Sequence, residues 1–224
     1  MEWRETLRAL RLAGSPQALL PVVVMMATIG GIAALQGVWV LQMFGADRLL
    51  SGMLAQVTVR DMAPTMSALM LAAQIGTAFA GELGAMQVTE EEAALRAMGV
   101  DPVRFLVVPR VVALTVVAPI AAGLGAVAAL GSGYLGAVFV HGASAGPFLA
   151  GLAAQISPAA VAEAIWKAGI FGFLCGLLSC FHGMRARGGA EGVGRAVNAA
   201  IVQSIVVVAA AEAALTTVLL RVQS

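Results

Sequence analysis

Charge-free runs long enough to cross a bilayer recur along this chain, and they constrain its fold more than any other feature. A membrane-spanning helix needs about 20 mainly apolar residues. Leu19 to Ala46 carries no charge, nor does Met62 to Gly81. A third run extends from Val111 beyond Val140, with Pro119 inside it as a point for a kink. A fourth lies between Glu163 and His182 and holds Lys167, and the last, Ala196 to Leu220, is interrupted by Glu212. These runs predict five spans, at about residues 19–45, 62–86, 103–140, 161–184 and 196–221.

Composition supports the same class. Hydrophobic residues make up 60% of the chain and charged residues 11%, against about 25% charged in a soluble domain. So much apolar surface cannot be hidden in a globule of this size. The balance excludes a soluble enzyme and a disordered chain. A formal net charge of +1 leaves no electrostatic footprint for nucleic acid. Cys175 and Cys180 fall in one apolar run and form neither a CxxC motif nor a disulfide framework.

The few cations set the topology. With the N-terminus in the cytoplasm, nine arginines fall inside: Arg4, Arg8, Arg11, Arg96, Arg104, Arg110, Arg185, Arg187 and Arg195. Arg48, Arg60 and Arg221 fall outside, and Lys167 is intramembrane. The asymmetry predicts a cytoplasmic N-terminus and an external C-terminus. A cleavable signal peptide is the rival reading of the first span, but its apolar core would be about 7–15 residues, shorter than this run. Ahead of that span, Trp3, Leu7 and Leu10 alternate with Arg4, Arg8 and Arg11 at helical spacing. Residues 1–15 therefore predict an amphipathic interfacial helix ending at Gly14-Ser15-Pro16; a frayed soluble terminus is the plainer alternative.

The loop between the second and third spans holds the densest local signals. Thr89 and Glu92 have capping-box spacing, and Glu90, Glu91 and Glu92 would occupy a first turn where the helix dipole favours acids. Gly99 is placed to end the helix in a left-handed conformation. Asp101 would cap the next helix, with Pro102 at its first position. The result is a short cytoplasmic helix with Ala94, Leu95 and Met98 as its apolar stripe. A helix this short is not stable alone; it packs on its own membrane helices or on a cytosolic partner, and spacing does not choose between them.

Arg60-Asp61-Met62-Ala63-Pro64, Ala72-Ala73-Gln74-Ile75-Gly76, Gly81-Glu82-Leu83-Gly84-Ala85-Met86, Val88-Thr89-Glu90 and Ala94-Leu95-Arg96-Ala97-Met98-Gly99-Val100-Asp101-Pro102 together resemble the MlaE/YrbE family of permease subunits. Lys167 with Phe171-Gly172, and Gly188-Gly189-Ala190-Glu191-Gly192-Val193-Gly194-Arg195-Ala196, continue the resemblance in order. It implies an all-α polytopic protein of the cell inner membrane, with an interfacial helix and five spans. It implies a homodimer enclosing a lipid cavity, and a coupling helix between spans two and three. The partners implied are an ABC ATPase that binds ATP and Mg, and a periplasmic MCE-domain protein; a small cytosolic STAS-type subunit is a further one. Transfer of phospholipid between the inner and outer membranes is the implied function.

By the same resemblance, Gln36, Arg60 and Asp61 line the lipid cavity, and a guanidinium suits a phosphate because it is permanently charged and can bind it with two donors. An interfacial anchor pair is the plainer reading of Arg60 and Asp61. Thr89, Glu90, Glu92, Leu95, Arg96, Met98, Gly99 and Asp101 would form the ATPase-coupling segment. Three positions depart from the family pattern: Gln74 stands where relatives carry arginine, Asp61 is one methylene shorter than their glutamate, and Ala93 replaces an acid.

The remaining polar residues have local readings. Glu163 and Lys167 are i,i+4 in the favourable order and predict a structural ion pair at the outer end of span four. Glu212 is alone in its span and calls for a partner or a proton. Glu82 is placed to meet the loop at 188–194, and Gly172 with Gly176 makes a close-packing GxxxG face. Gly142-Ala143-Ser144-Ala145-Gly146 matches G-x-S-x-G beside His141, but a nucleophile elbow needs a strand–turn–helix context that these apolar flanks do not offer. The two histidines and two cysteines do not make a metal ligand set. No G-x-x-x-x-G-K-[ST] is present, so ATP would be held by another subunit rather than by a P-loop of this chain. A secondary transporter or channel for a small solute is the alternative function; it would show internal repeats and paired midplane charges.

Overall fold

The computed structural model of the chain describes residues 2–43 and 49–223, and within them every regular element is a helix. Arg48 and the expected end of the first span at residues 44–45 lie outside the described residues, as does the side chain of Trp3. Helix α1 (Glu2–Ala13) is followed by a turn at Gly14–Ser15, and Pro16 opens α2 (Pro16–Met43). A proline suits that place because its missing N–H would be unpaired in the first turn anyway.

Helices α3 (Leu50–Val57), α4 (Ala63–Leu71) and α5 (Thr77–Val88) form one helical run, joined by wider π turns at Thr58–Met62 and Ala72–Gly76. The short α6 (Glu91–Ala97) follows. A π turn at Val103–Val107 leads into α7 (Val108–Leu135), which holds Pro119 and ends in a π turn at Gly136–Val140. Then come α8 (Ala145–Gln155), α9 (Pro158–Gly183) and α10 (Gly189–Gln223). Among the described residues, five runs are long and apolar enough to cross a membrane: Arg4–Leu41, Leu50–Val88, Val103–Val140, Pro158–Gly183 and Gly189–Leu219.

The helical run that contains the second expected span starts at Leu50, ahead of residue 62, and carries Arg60 and Asp61 within it. Beyond residue 140, Ala145–Gln155 forms α8 against α3. Ser144, at the N-terminal end of α8, sits in helical surroundings and not in a strand–turn–helix elbow.

The chain divides into two compact units. Residues 20–67 and 119–168 make one. Its core joins Ala34, Val38, Leu50, Leu54 and Ala55 to Ala137, Phe148 and Leu152. Small residues let its backbones approach closely: a Cβ on Gly30 would stand 2.1 Å from the Ala129 carbonyl oxygen. Residues 1–19, 68–118 and 169–224 make the other unit. There α5 packs along α10, with Gly84 facing Ala186 and Val193. Phe171, Cys175, Ala68, Ala72 and Val208 form a second core. The GxxxG pair behaves as its spacing predicts: Gly172 and Gly176 lie on Leu114, Ala118 and Val111. In lipid, where apolar burial gives little drive between helices, such contacts carry the packing. Large side chains such as Val127, Phe139, Val140 and Val206 stay exposed, as expected of faces that meet acyl chains.

Candidate functional site

Arg60 and Asp61 sit in the π turn Thr58–Met62, where one extra residue per turn brings both side chains to the same neighbourhood. There they meet the charged pair of α9. The Lys167 ammonium is fully buried and lies 3.1 Å from Asp61 Oδ1, 3.4 Å from Glu163 Oε1 and 3.2 Å from the Arg60 carbonyl oxygen. Arg60 Nε lies 3.8 Å from Glu163 Oε2. Glu163 and Lys167 do pair, as their spacing predicts, but as half of a group of two cations and two anions. The group is neutral as a whole, which is what makes its burial tolerable. Lys167 donates to the Arg60 carbonyl and to Asp61 and pairs with Glu163, whereas the Arg60 terminal nitrogens make no hydrogen bond among the described residues. Arg60 is thus the member with unused donors.

Gln36 belongs to a different feature of the same unit. It lines an apolar cavity of ≈ 390 Å³ with Val40, Leu50, Met53, Thr58 and Met62 among its walls. Arg60 and Asp61 are not among the lining residues; Thr58 and Met62, at the two ends of their π turn, are. The three residues expected at one lipid site are therefore split: Gln36 at the cavity wall, Arg60 and Asp61 in the ion-pair group at the turn that bounds it.

The loop helix is present, but its start differs from expectation. Thr89 does not cap α6. Its hydroxyl donates back to the Ala85 carbonyl at 3.1 Å, continuing α5, and meets Glu91 Oε1 at 3.0 Å. Glu90 takes the N-cap position with φ of 60°, and no side chain caps the helix. Glu92 is buried and pairs with Arg96 one turn on. The end of α6 follows the sequence reading: Gly99 has φ of +74°, its N–H donates to Arg96 O, and Val100 N–H donates to Leu95 O. This is the Schellman pattern. Asp101 Oδ1 accepts the Val103 N–H at 3.0 Å, as an N-cap should. Leu95 is half-buried against the cluster of Leu83, Leu106, Val111 and Cys180, while Met98 is 69% exposed. The apolar stripe thus divides, with Leu95 turned to the protein and Met98 left outside.

Two further polar residues have partners that sequence reading missed. Glu82 pairs with Arg110 at 2.7 Å, and it is Gly84 that meets Val193, in a stretch that is the start of α10 and not a loop. Glu212 accepts a hydrogen bond from Thr216 at 2.9 Å and is not alone in its helix. Gln74 lies half-buried in the second π turn. The Thr216 contact was available as an i,i+4 spacing. The joining of Arg60-Asp61 to Glu163…Lys167 had a fainter signal: two opposite-sign doublets in otherwise uncharged segments.

Comparison with known proteins bears on what this arrangement serves. The family described as Permease MlaE matches residues 7–218. A "Probable ABC transporter permease protein" of Rickettsia felis is 32% identical over 190 residues, covering 84% of this chain and 73% of that one. The chloroplastic "Protein TRIGALACTOSYLDIACYLGLYCEROL 1" of Arabidopsis thaliana is 32% identical over 207 residues, 92% of this chain and 59% of that one. A "Probable ABC transporter permease protein" of Synechocystis is 29% identical over 205 residues, 92% and 78%.

Proposed function

Because this chain belongs to the MlaE permease family, we propose that it is the multi-pass membrane subunit of an ATP-driven transporter moving phospholipid between the inner and outer membranes of a cell with two. Similarity to ABC permeases and to a relative named for a galactolipid supports lipid as the cargo class. The observation that carries the reading is an apolar cavity, with Gln36 on its wall, bounded by the turn that holds Arg60. Acyl chains suit such a lining, and the unbonded Arg60 nitrogens suit a headgroup phosphate. Asp61 and Lys167 fix the turn and so position the arginine.

Energy would come from a separate ABC ATPase, which holds ATP and Mg and grips α6. The exposed Met98 and the sharply ended α6 support that role for the segment from Thr89 to Asp101, with Glu90, Glu92, Leu95, Arg96 and Gly99 shaping it. A second copy of the chain would complete the cavity, and a periplasmic MCE-domain protein would pass the lipid on. The nine-to-three arginine asymmetry supports a cytoplasmic N-terminus.

The test is a photo-crosslinker at position 36 in native membranes, followed by purification. Phospholipid attached to the chain, and co-isolation of a P-loop ATPase, are expected. Absence of any lipid adduct, or solute flux in liposomes holding this chain alone, would overturn the proposal in favour of a secondary transporter or channel.

A further inference from the structure

A second cavity, of ≈ 490 Å³, lies within the other unit, between α1, α5 and the start of α7. Arg8, Arg11, Leu12, Phe79, Glu82 and Arg110 are among its walls, and Glu5 adds one more acid. Arg8 and Arg11 are one turn apart on α1, so they share a face. Both are exposed and make no ion pair among the described residues. Arg110 is different: its side chain is 9% exposed, it bonds Glu82 and the Leu106 carbonyl, and its Nε finds no acceptor among the described residues.

The charges do not cancel. Glu82 answers Arg110 and Glu5 can answer one of the α1 arginines, which leaves one guanidinium in excess. Beside the polar Ser15 and Gln17, the uncharged walls are the apolar Ala9, Leu12, Ala78, Phe79 and Pro109, with Ala9 on the buried face of α1. A cleft with a surplus cation at one end and apolar walls beside it fits an amphiphile with a singly negative head.

We infer that this cleft holds the phosphodiester headgroup of one anionic phospholipid of the surrounding leaflet, between Arg8 and Arg11 of α1 and the Arg110 end of α7. The lipid is a fixed ligand that fastens α1 to the membrane-embedded helices, not cargo. The inference rests on the reading of the chain as a membrane permease with α1 at the interface. It is separate from the Gln36 cavity, which shares no residue with this one.

Native mass spectrometry of the full chain with its co-purifying subunits, titrated with phosphatidylglycerol and with phosphatidylcholine, tests it. One phosphatidylglycerol should be retained in preference to phosphatidylcholine. The Arg8→Gln/Arg11→Gln variant should retain it roughly tenfold less well or worse, while Arg4→Gln, off the cleft, should not change it. Equal loss in Arg4→Gln would mean diffuse surface attraction and overturn the site. Unchanged retention in Arg8→Gln/Arg11→Gln would do the same. Displacement of the lipid by inorganic phosphate at equal concentration would show a free-anion site instead. Retention in a chain that gives no lipid adduct at position 36 would leave this site standing while the cargo reading falls.

Discussion

Lys167 and Asp61, 106 positions apart in the chain, meet at 3.1 Å with the ammonium fully buried and the carboxylate still reaching the surface. Their contact ties α9 to the π turn that holds Arg60. Lys167→Met removes the cation but leaves two carboxylates facing each other. Breaking a buried pair in this way typically costs about 3–5 kcal/mol. Thermal unfolding of the detergent-solubilised protein should show a loss at the lower end of that range, since Asp61 keeps some water. Asp61→Asn/Lys167→Met should recover part of it. Equal stability of Lys167→Met and the parent would show that the group contributes nothing to the fold.

Gly172 sets how closely α9 and α7 approach. A Cβ there would lie 2.5 Å from the Leu114 carbonyl oxygen and 2.7 Å from the Ala118 methyl, so Gly172→Leu must push the helices apart. Monodisperse protein should fall sharply on size-exclusion chromatography. Gly123→Ala, where nothing lies within 4 Å of the added carbon, should behave as the parent.

Gly99 adopts φ of +74°, a conformation that costs an L-residue roughly 1–2 kcal/mol. Gly99→Val should therefore loosen the end of α6 without disturbing the spans. Hydrogen exchange in peptides covering Glu91–Ala97 should quicken by about an order of magnitude, and peptides from α7 should be unchanged.

Met98 and Leu95 separate docking from folding. Met98→Asp changes an exposed side chain and should release the proposed ATPase on co-purification while leaving thermal stability within about 0.5 kcal/mol of the parent. Leu95→Asp places a charge against Leu83 and Leu106 and should lower stability as well. Full retention of the ATPase by Met98→Asp would exclude that face of α6 from the contact.

Much of this architecture was legible in the sequence because lipid leaves so few options for a backbone. An unbroken helical run covers Val103–Val140, and the turn at Gly14–Ser15 and the left-handed Gly99 stand where local chemistry places them. Failures arose where a polar residue had a choice of partner. Thr89 could cap α6 or continue α5, and its hydroxyl found the Ala85 carbonyl first. Arg60 and Asp61 read as the end of a span because charges mark span ends. Their neutralisation by Glu163 and Lys167 is a tertiary fact, and it lets the helix begin at Leu50 instead. The candidate site was legible as a set of residues but not as a geometry: nothing in the spacing said that Gln36 would line a cavity while Arg60 and Asp61 would sit in the ion-pair group beside it.

The neutral group of four also has a consequence in time. Arg60 and Asp61 are made first, and the ribosome reaches Lys167 roughly 5–20 seconds later at ordinary elongation rates. Until then the second span carries two unanswered charges at the edge of the lipid, each of which resists insertion. Settling of that helix in lipid is therefore favoured only once the fourth span supplies its counter-charges. Assembly of this protein has an order, and the order is written in where its scarce charges fall along the message.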